Sequence, residues 1–80
     1  MELDTDKVDD TVLALLYLNT WEERLCGARA WKGHDWDALA RLHEKGYIGD
    51  PISKAKSVAM TPAGIERGRK LFEELFAKTP

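Results

Sequence analysis

The feature that most constrains this chain is a pair of helix-start signals, each followed by an apolar pattern of helical period. Asp35 can cap a helix N-terminus, and Gly46 can adopt the left-handed conformation that commonly ends a helix. Further along, Thr61 can cap a second helix, and Pro62 fits its first position, where a missing N–H leaves no hydrogen bond unmade. These signals predict helices over residues 36–45 and 62–77.

The segment between those helices predicts a β-hairpin over residues 47–60. Its first strand would begin at Tyr47, and Gly49-Asp50-Pro51 marks the turn out of that strand. In the returning strand, Val58 and Met60 alternate with other residues, as the inward positions of a half-buried strand do. The local pattern is therefore helix, hairpin, helix.

The N-terminal part of the chain predicts a long first helix over about residues 5–25. Asp4 or Thr5 can cap it, and several carboxylates in its first turns complement the positive end of the helix dipole. Its valines, leucines and aromatic residues form two adjoining stripes, giving an apolar arc wider than a surface helix needs. We therefore expect this helix to be central to the fold or shared with a partner chain.

The end of this first helix is open to two interpretations. In one, the helix stops at Gly27 and a short strand follows over residues 28–31. In the other, Thr20 and Glu23 form a capping box that starts a separate helix over residues 21–30. The first is favoured because a glycine would interrupt so short a second helix.

Length and composition predict one globular domain over residues 1–80. The chain is 44% hydrophobic and 32% charged, which is typical of a globular chain rather than a disordered one. No apolar run approaches the roughly 20 residues that cross a bilayer, and the acidic N-terminus is unlike a targeting peptide. The single cysteine cannot form an intrachain disulfide. We therefore expect a reduced cytoplasmic protein without a membrane partner.

Charge is unevenly distributed along the chain, although the formal net charge is only −2. Residues 1–10 hold five acidic residues and one basic residue, whereas residues 24–56 hold seven basic and four acidic residues. The negative net charge argues against strong sequence-independent binding of nucleic acid, but the basic excess over residues 24–56 allows a local basic patch.

Two runs of the sequence resemble winged-helix regulators of the MarR and PadR type. The runs from Leu39 to Ile48 and from Lys56 to Gly64 are similar to their L-x-x-L-x-x-x-G-x-I, strand, L-T-x-x-G pattern. The resemblance implies that residues 36–45 are the recognition helix, that the hairpin is the wing, and that Thr61 begins a dimerising helix. It implies a mainly α, winged-helix-like α+β fold with three to four helices and a two- to three-stranded wing.

A second resemblance, to small uncharacterised bacterial proteins, spans nearly the whole chain and implies no activity. Its signature consists of Trp31-Lys32-Gly33, Asp35-Trp36-Asp37, the run from Arg41 to Gly46, Asp50-Pro51, and the run from Lys54 to Ser57.

Six basic residues are the candidate nucleic-acid contacts: Arg29, Lys32, Arg41, Lys45, Lys54 and Lys56. On the winged-helix resemblance, Arg41 and Lys45 would face the groove of duplex DNA or its phosphates. Lys54 and Lys56 would bind phosphates from the wing, with the other two at the flank. A helix-turn-helix needs another helix before the recognition helix, however, and residues 26–34 leave little room for it.

The alternative is a protein-interaction or self-association module whose basic residues are ordinary solvated charges. Either hypothesis is compatible with a homodimer formed through the first and last helices. Whether the target is duplex DNA or a protein is left open by the sequence.

The remaining chemistry-bearing residues predict structural roles. Trp21, Trp31 and Trp36 are expected to form the core that joins the first two helices, with base stacking as the alternative. Cys26, His34 and His43 match no compact metal-binding motif. Asp35 and Asp37 are explained as a helix cap and a first-turn residue, and no nucleophile–base arrangement is visible. We therefore expect no enzyme activity, no metal and no cofactor.

Overall fold

The fold is that of a computed structural model, which describes residues 1–23 and 27–78. The described chain has α+β architecture, with three helices and three strands. In chain order they are α1 (Thr5–Leu18), β1 (Trp21–Glu23), β2 (Gly27–Trp31), α2 (Trp36–Glu44), β3 (Ser57–Ala59) and α3 (Pro62–Phe76). Across these ranges no helix is both long and apolar enough to cross a membrane.

The helix ends confirm the capping signals in the sequence. The three N-caps are Asp4, Asp35 and Thr61, whose side-chain oxygens accept hydrogen bonds from backbone N–H groups three residues ahead, at 2.9 to 3.1 Å. Pro62 opens α3, and Gly46 follows α2 with a φ of 81°, the left-handed conformation expected there. Local side-chain chemistry therefore fixes where each helix begins.

The predicted end of the first helix near residue 25 is wrong, because α1 ends at Leu18. Asn19 Nδ2 donates to the Leu15 carbonyl at 3.1 Å, and Thr20 Oγ1 donates to the Leu16 carbonyl at 2.7 Å. These side chains satisfy carbonyls of the last turn, so the helix can end there without a glycine.

The separate helix over residues 21–30 is also wrong, because Trp21–Glu23 and Gly27–Trp31 are strands. The strand expected at residues 28–31 is present as β2. Leu25 and Cys26 lie outside the described residues. In the described part of the chain no helix lies between β1 and α2, so the extra helix of a helix-turn-helix is not found there.

The sheet is antiparallel, with β2 between β1 and β3. Trp21 pairs with Arg29 on one side of β2, and Ala30 pairs with Val58 on the other. The prediction of a hairpin over residues 47–60 is wrong, because β3 pairs with β2 instead of with a strand that begins at Tyr47. Among the described residues, the isolated bridge between Ile48 and Met60 is the one strand-like pairing that joins the two ends of that segment. Pro51, three residues after Ile48, has no N–H with which to extend the ladder.

The core is built around α1, which packs against both other helices. The largest fully buried apolar side chains of the core are Leu13, Leu16, Leu39, Leu42, Ile48 and Val58. Two glycines of α3 allow close approach of neighbouring chain segments. A Cβ at Gly64 would overlap the carbonyl oxygen of Tyr47, and one at Gly68 would lie 3.0 Å from Tyr17 Cβ.

The expectation that three tryptophans join the first two helices as core is wrong. Trp31 is 56% exposed and Trp36 is 59% exposed, and Trp21 is half-buried beside Trp31. The alternation of β2 explains the orientation of Trp31, because Ala30 next to it faces the core and side chains alternate along a strand. Aliphatic residues fill the core, and the indole rings lie at its surface.

Candidate functional site

Arg41 of α2 and Lys45, the residue that caps the C-terminus of α2, bind a carboxylate of α1. Arg41 Nε lies 3.0 and 2.9 Å from the two carboxylate oxygens of Asp9, and Arg41 Nη2 lies 2.8 Å from Asp9 Oδ1. Lys45 Nζ donates to Asp9 Oδ2 at 3.0 Å and lies 3.6 Å from Asp6. The Asp9 side chain is only 1% exposed, so this cluster joins α1 and α2 at the edge of the core.

The charges of this cluster depend on one another. Burial alone would raise the pKa of Asp9, but the hydrogen bonds and charges of Arg41 and Lys45 outweigh it and hold that pKa below its ordinary value. In return, the hydrogen bond to Asp9 is the main cause that raises the pKa of Arg41 and of Lys45. All three groups are therefore ionised at neutral pH, and the two cations have an intramolecular partner.

The two flanking cations also bind within the chain. Arg29 donates from Nε to Ser57 Oγ at 2.8 Å and from Nη2 to the Ser57 carbonyl at 2.9 Å, which ties β2 to β3. Lys32 Nζ donates to the Pro51 carbonyl at 2.7 Å and to the carbonyl and hydroxyl of Ser53 at 3.0 and 3.1 Å. Lys32 therefore anchors the loop that precedes β3.

The last two predicted contacts, Lys54 and Lys56, lie in that loop and are exposed. Within residues 1–23 and 27–78, neither side chain makes a hydrogen bond or an ion pair. Their ammonium groups are thus available to an anion in solution.

A groove of about 500 Å³ lies beside these lysines, and we call it the tryptophan groove. It is lined by residues 31–34, by Trp36, and by Ser53, Ala55 and Lys56. None of these lining residues is acidic. Burial lowers the pKa of His34, so this ring is neutral at pH 7 and the formal charge of the lining comes from lysines.

Both exposed indole rings are held in place by neighbours. The rings of Trp21 and Trp31 have centroids 4.8 Å apart and are tilted by 41°, an aromatic pair of favourable separation. Lys32 Nζ lies 5.8 Å from the ring centroid of Trp36, within the range of a cation–π contact. The groove therefore presents two positioned aromatic surfaces and a cationic side.

The structure separates the six predicted residues into three locations. Lys32 and Lys56 meet at the tryptophan groove, where the Lys32 N–H donates to the Lys56 carbonyl at 3.1 Å, and Lys54 lies in the same loop. Arg29 lies in the adjoining sheet, whereas Arg41 and Lys45 belong to the Asp9 cluster.

Sequence reasoning missed two features of these sites. The pairing of Asp9 with α2 has no local signal, because 32 residues separate it from Arg41. The exposure of Trp31 did have one: small residues at positions 28 and 30 indicate the inward side of β2, which leaves positions 29 and 31 outward.

The fold and groove define a class of small α+β domain, in which the three helices of the described residues pack with a three-stranded antiparallel sheet, and exposed tryptophans lie on β2 and at the start of α2. Within that class, the chain belongs to the family described as Domain of unknown function (DUF6429), whose family model matches residues 4–78. The chain is 50% identical over 78 residues to the "Uncharacterized protein y4hR" of Sinorhizobium fredii (strain NBRC 101917 / NGR234), an alignment covering 98% of this chain and 100% of that protein. No solved structure gives a significant match.

Proposed function

We propose that this protein is a nucleic-acid-binding module whose contact surface is the tryptophan groove together with Lys54. The observation that carries the proposal is the composition of the groove, which combines exposed indole rings with lysines and has no acidic residue in its lining. Aromatic rings beside a basic surface are the combination with which proteins bind bases and phosphates at once.

The internal contacts of the other cations support the same surface. Arg41, Lys45 and Arg29 have carboxylate or carbonyl partners within the chain, and binding a phosphate would compete with those partners. Lys54 and Lys56 have no such partners within the described residues, so a phosphate can bind their ammonium groups without breaking an internal hydrogen bond or ion pair.

This proposal also relates the chain to winged-helix regulators. In that resemblance the hairpin over residues 47–60 corresponds to the wing, with the loop before β3 at its tip, and residues 36–45 correspond to the recognition helix. We propose that the wing contact is the one used here, because Arg41 and Lys45 are engaged with Asp9. The protein would then be a wing-like binder without groove insertion by a helix.

The test is a fluorescence anisotropy titration with labelled DNA of mixed sequence, at low salt and at roughly fourfold higher salt. Each lysine–phosphate contact adds about 0.7 to 0.9 to the salt slope, so two contacts predict a slope of about 1.4 to 1.8 and a loss of affinity of about 7- to 12-fold. The variant Lys54→Gln/Lys56→Gln should remove most of this slope.

The matched control is Lys70→Gln/Lys78→Gln, which removes the same charge from exposed positions on and after α3. It should leave the titration unchanged, apart from a small long-range effect that salt screens. Undetectable binding at high micromolar protein in low salt, or an equal effect of both double variants, would contradict the proposal.

A second candidate, self-association through α1 and α3, is favoured by apolar exposure at the ends of those helices. Leu18 is 56% exposed, Leu75 is 50% exposed and Phe76 is 46% exposed. A homodimer that covers these side chains would bury apolar area that the monomer leaves in water. Sedimentation over a range of concentrations tests this: the protein should dimerise, and Leu75→Ser/Phe76→Ser should be monomeric. A wild-type monomer throughout would refute it.

A further inference from the structure

We infer that the tryptophan groove takes single-stranded nucleic acid, with unstacked bases lying on Trp31 and Trp36 and the adjoining phosphates on Lys54 and Lys56. This inference rests on the proposed function and names the form of nucleic acid that the groove recognises. It is carried by the aromatic rings, whereas the proposal of nucleic-acid binding also draws on the lysines.

The indole rings of Trp31 and Trp36 are both held in place by neighbouring residues, although more than half of each side chain is exposed. Trp31 is fixed by the pairing of β2 with β3 and by contact with Trp21. Trp36 is the first residue of α2, directly after the Asp35 cap, and Lys32 Nζ lies over its ring. Rings that are already held lose little conformational freedom when a ligand stacks on them.

The fold gives these rings no role in its interior. The core is filled by aliphatic side chains, and Trp31 and Trp36 leave 56% and 59% of their surfaces in water. Exposed large apolar groups that cluster around one concave surface are typical of a binding site. A flat aromatic ring matches the face of a base, and every base has such a face.

Single strands and duplexes differ in how accessible the faces of their bases are. In a duplex the faces of each base pair are covered by the neighbouring pairs. A tryptophan can stack on them only if two base pairs are first unstacked, and the free energy of unstacking opposes binding. In a single strand the bases unstack readily and their faces are accessible. An aromatic groove therefore favours the single strand, while lysines alone would favour neither form strongly.

The size and charge of the groove fit this ligand. Its volume of about 500 Å³ lies within the range of about 300 to 1,000 Å³ typical of small-ligand sites, which suits a nucleotide unit better than a folded partner. Lys56 lines the groove and Lys54 lies two residues away in the same exposed loop. Bases in the groove would thus bring neighbouring phosphates to both ammonium groups.

The experiment compares three probes of equal length, about 12 nucleotides, which is within the site sizes of single-strand binders. They are single-stranded oligothymidylate, a mixed-sequence duplex, and an abasic deoxyribose-phosphate oligomer that has the charge without the bases. A polyglutamate peptide of matched charge tests whether an acidic protein segment binds as well. We expect oligothymidylate to bind tightest and to quench the tryptophan fluorescence.

The variant Trp36→Ala should weaken binding of oligothymidylate by about 5- to 150-fold, the usual contribution of one stacked base, and should leave the abasic oligomer unaffected. Trp36→Phe keeps a ring and should restore most of the affinity. Leu3→Ala, which truncates an exposed large apolar side chain before α1, is the matched control and should bind as the wild type does. Because Trp36 is mostly exposed, circular dichroism should show both Trp36 variants folded; Trp31→Phe provides the same comparison on the sheet.

Three outcomes would overturn the inference. If the duplex or the abasic oligomer binds as tightly as oligothymidylate, with loss in the Lys54→Gln/Lys56→Gln variant, the bases do not stack and only the proposed function stands. If polyglutamate binds as tightly, the groove recognises acidic protein. If no nucleic-acid probe binds, the proposed function fails as well.

Discussion

Replacing Asp9 by Asn should lower the free energy of unfolding by about 2 to 3 kcal/mol at pH 7. Removing one partner of a fully buried ion pair costs about 3 to 5 kcal/mol. The loss is smaller here because the Arg41 and Lys45 side chains are 30% and 38% exposed and regain water when the carboxylate is gone. The amide oxygen of Asn also keeps one hydrogen bond, of the neutral and weaker kind.

Urea unfolding followed by circular dichroism measures this loss. A slope of about 1 to 3 kcal/mol per molar urea is usual for small domains, so the midpoint should fall by about 0.7 to 3 M. The matched control is Asp10→Asn, one residue along α1, where the carboxylate is 40% exposed and lies 4.0 Å from Arg67. An exposed pair of this kind contributes little, and the control should change stability by less than about 0.5 kcal/mol.

The stability difference between the wild type and Asp9→Asn should depend on pH. The pKa of Asp9 is lowered in the folded protein, so its contribution to stability is fully present above the unfolded value of about 3.9 and is lost as the pH falls through the folded pKa. The gap between wild type and Asp9→Asn should therefore be constant near neutral pH and shrink below about pH 4. A gap that does not depend on pH, or one no larger than that of Asp10→Asn, would refute the assignment of Arg41 and Lys45 to this cluster.

Further predictions concern the backbone and the caps. Gly64→Ala should destabilise the protein by several kcal/mol, on the order of 3 or more, or prevent folding, because the added Cβ overlaps the Tyr47 carbonyl; Gly33→Ala, with open space around it, should change the urea midpoint little. Equal effects of the two substitutions would contradict the packing of α3. Thr61→Ala should cost about 1 to 2 kcal/mol, because the hydroxyl accepts from the backbone of α3 and donates to the Gly46 carbonyl at 2.6 Å. Thermal unfolding measures it, and an unchanged midpoint would show that the cap is dispensable.

The parts of the fold that sequence reasoning predicted correctly are those decided by neighbours in the chain. Asp35, Thr61 and Pro62 act within three residues of their own positions, so their chemistry is visible in the sequence. The left-handed conformation of Gly46 is local in the same way. Helices α2 and α3 follow from these signals almost to the residue.

The parts that were wrong are those decided by distant contacts. Residues 21–23 could begin a helix by their local pattern, but they pair with β2, which pairs in turn with β3 about thirty residues further on. The helix also ended early, at side chains of Asn19 and Thr20 that compete for its last carbonyls. Local propensity could not weigh these strand pairings.

The candidate site shows the same division. The basic character of residues 54–56 was evident in the sequence, and the exposed loop presents those lysines as the sequence suggested. The engagement of Arg41 by Asp9 was not evident, because it joins α1 to α2 across the core edge. The exposure of Trp31 and Trp36 was missed because a large apolar side chain was assumed to be buried, whereas aliphatic residues already fill this small core.

Binding at the tryptophan groove is tested most directly by mapping the contact surface with NMR, in a titration of isotope-labelled protein with oligothymidylate at low salt. We predict that the indole N–H signals of Trp31 and Trp36 and the backbone signals of residues 53–57 shift together and saturate with one affinity. The signals of Arg41 and Lys45 should stay in place. Shifts confined to α2, or no shifts at high micromolar protein and excess oligonucleotide, would contradict the claim that this groove binds nucleic acid.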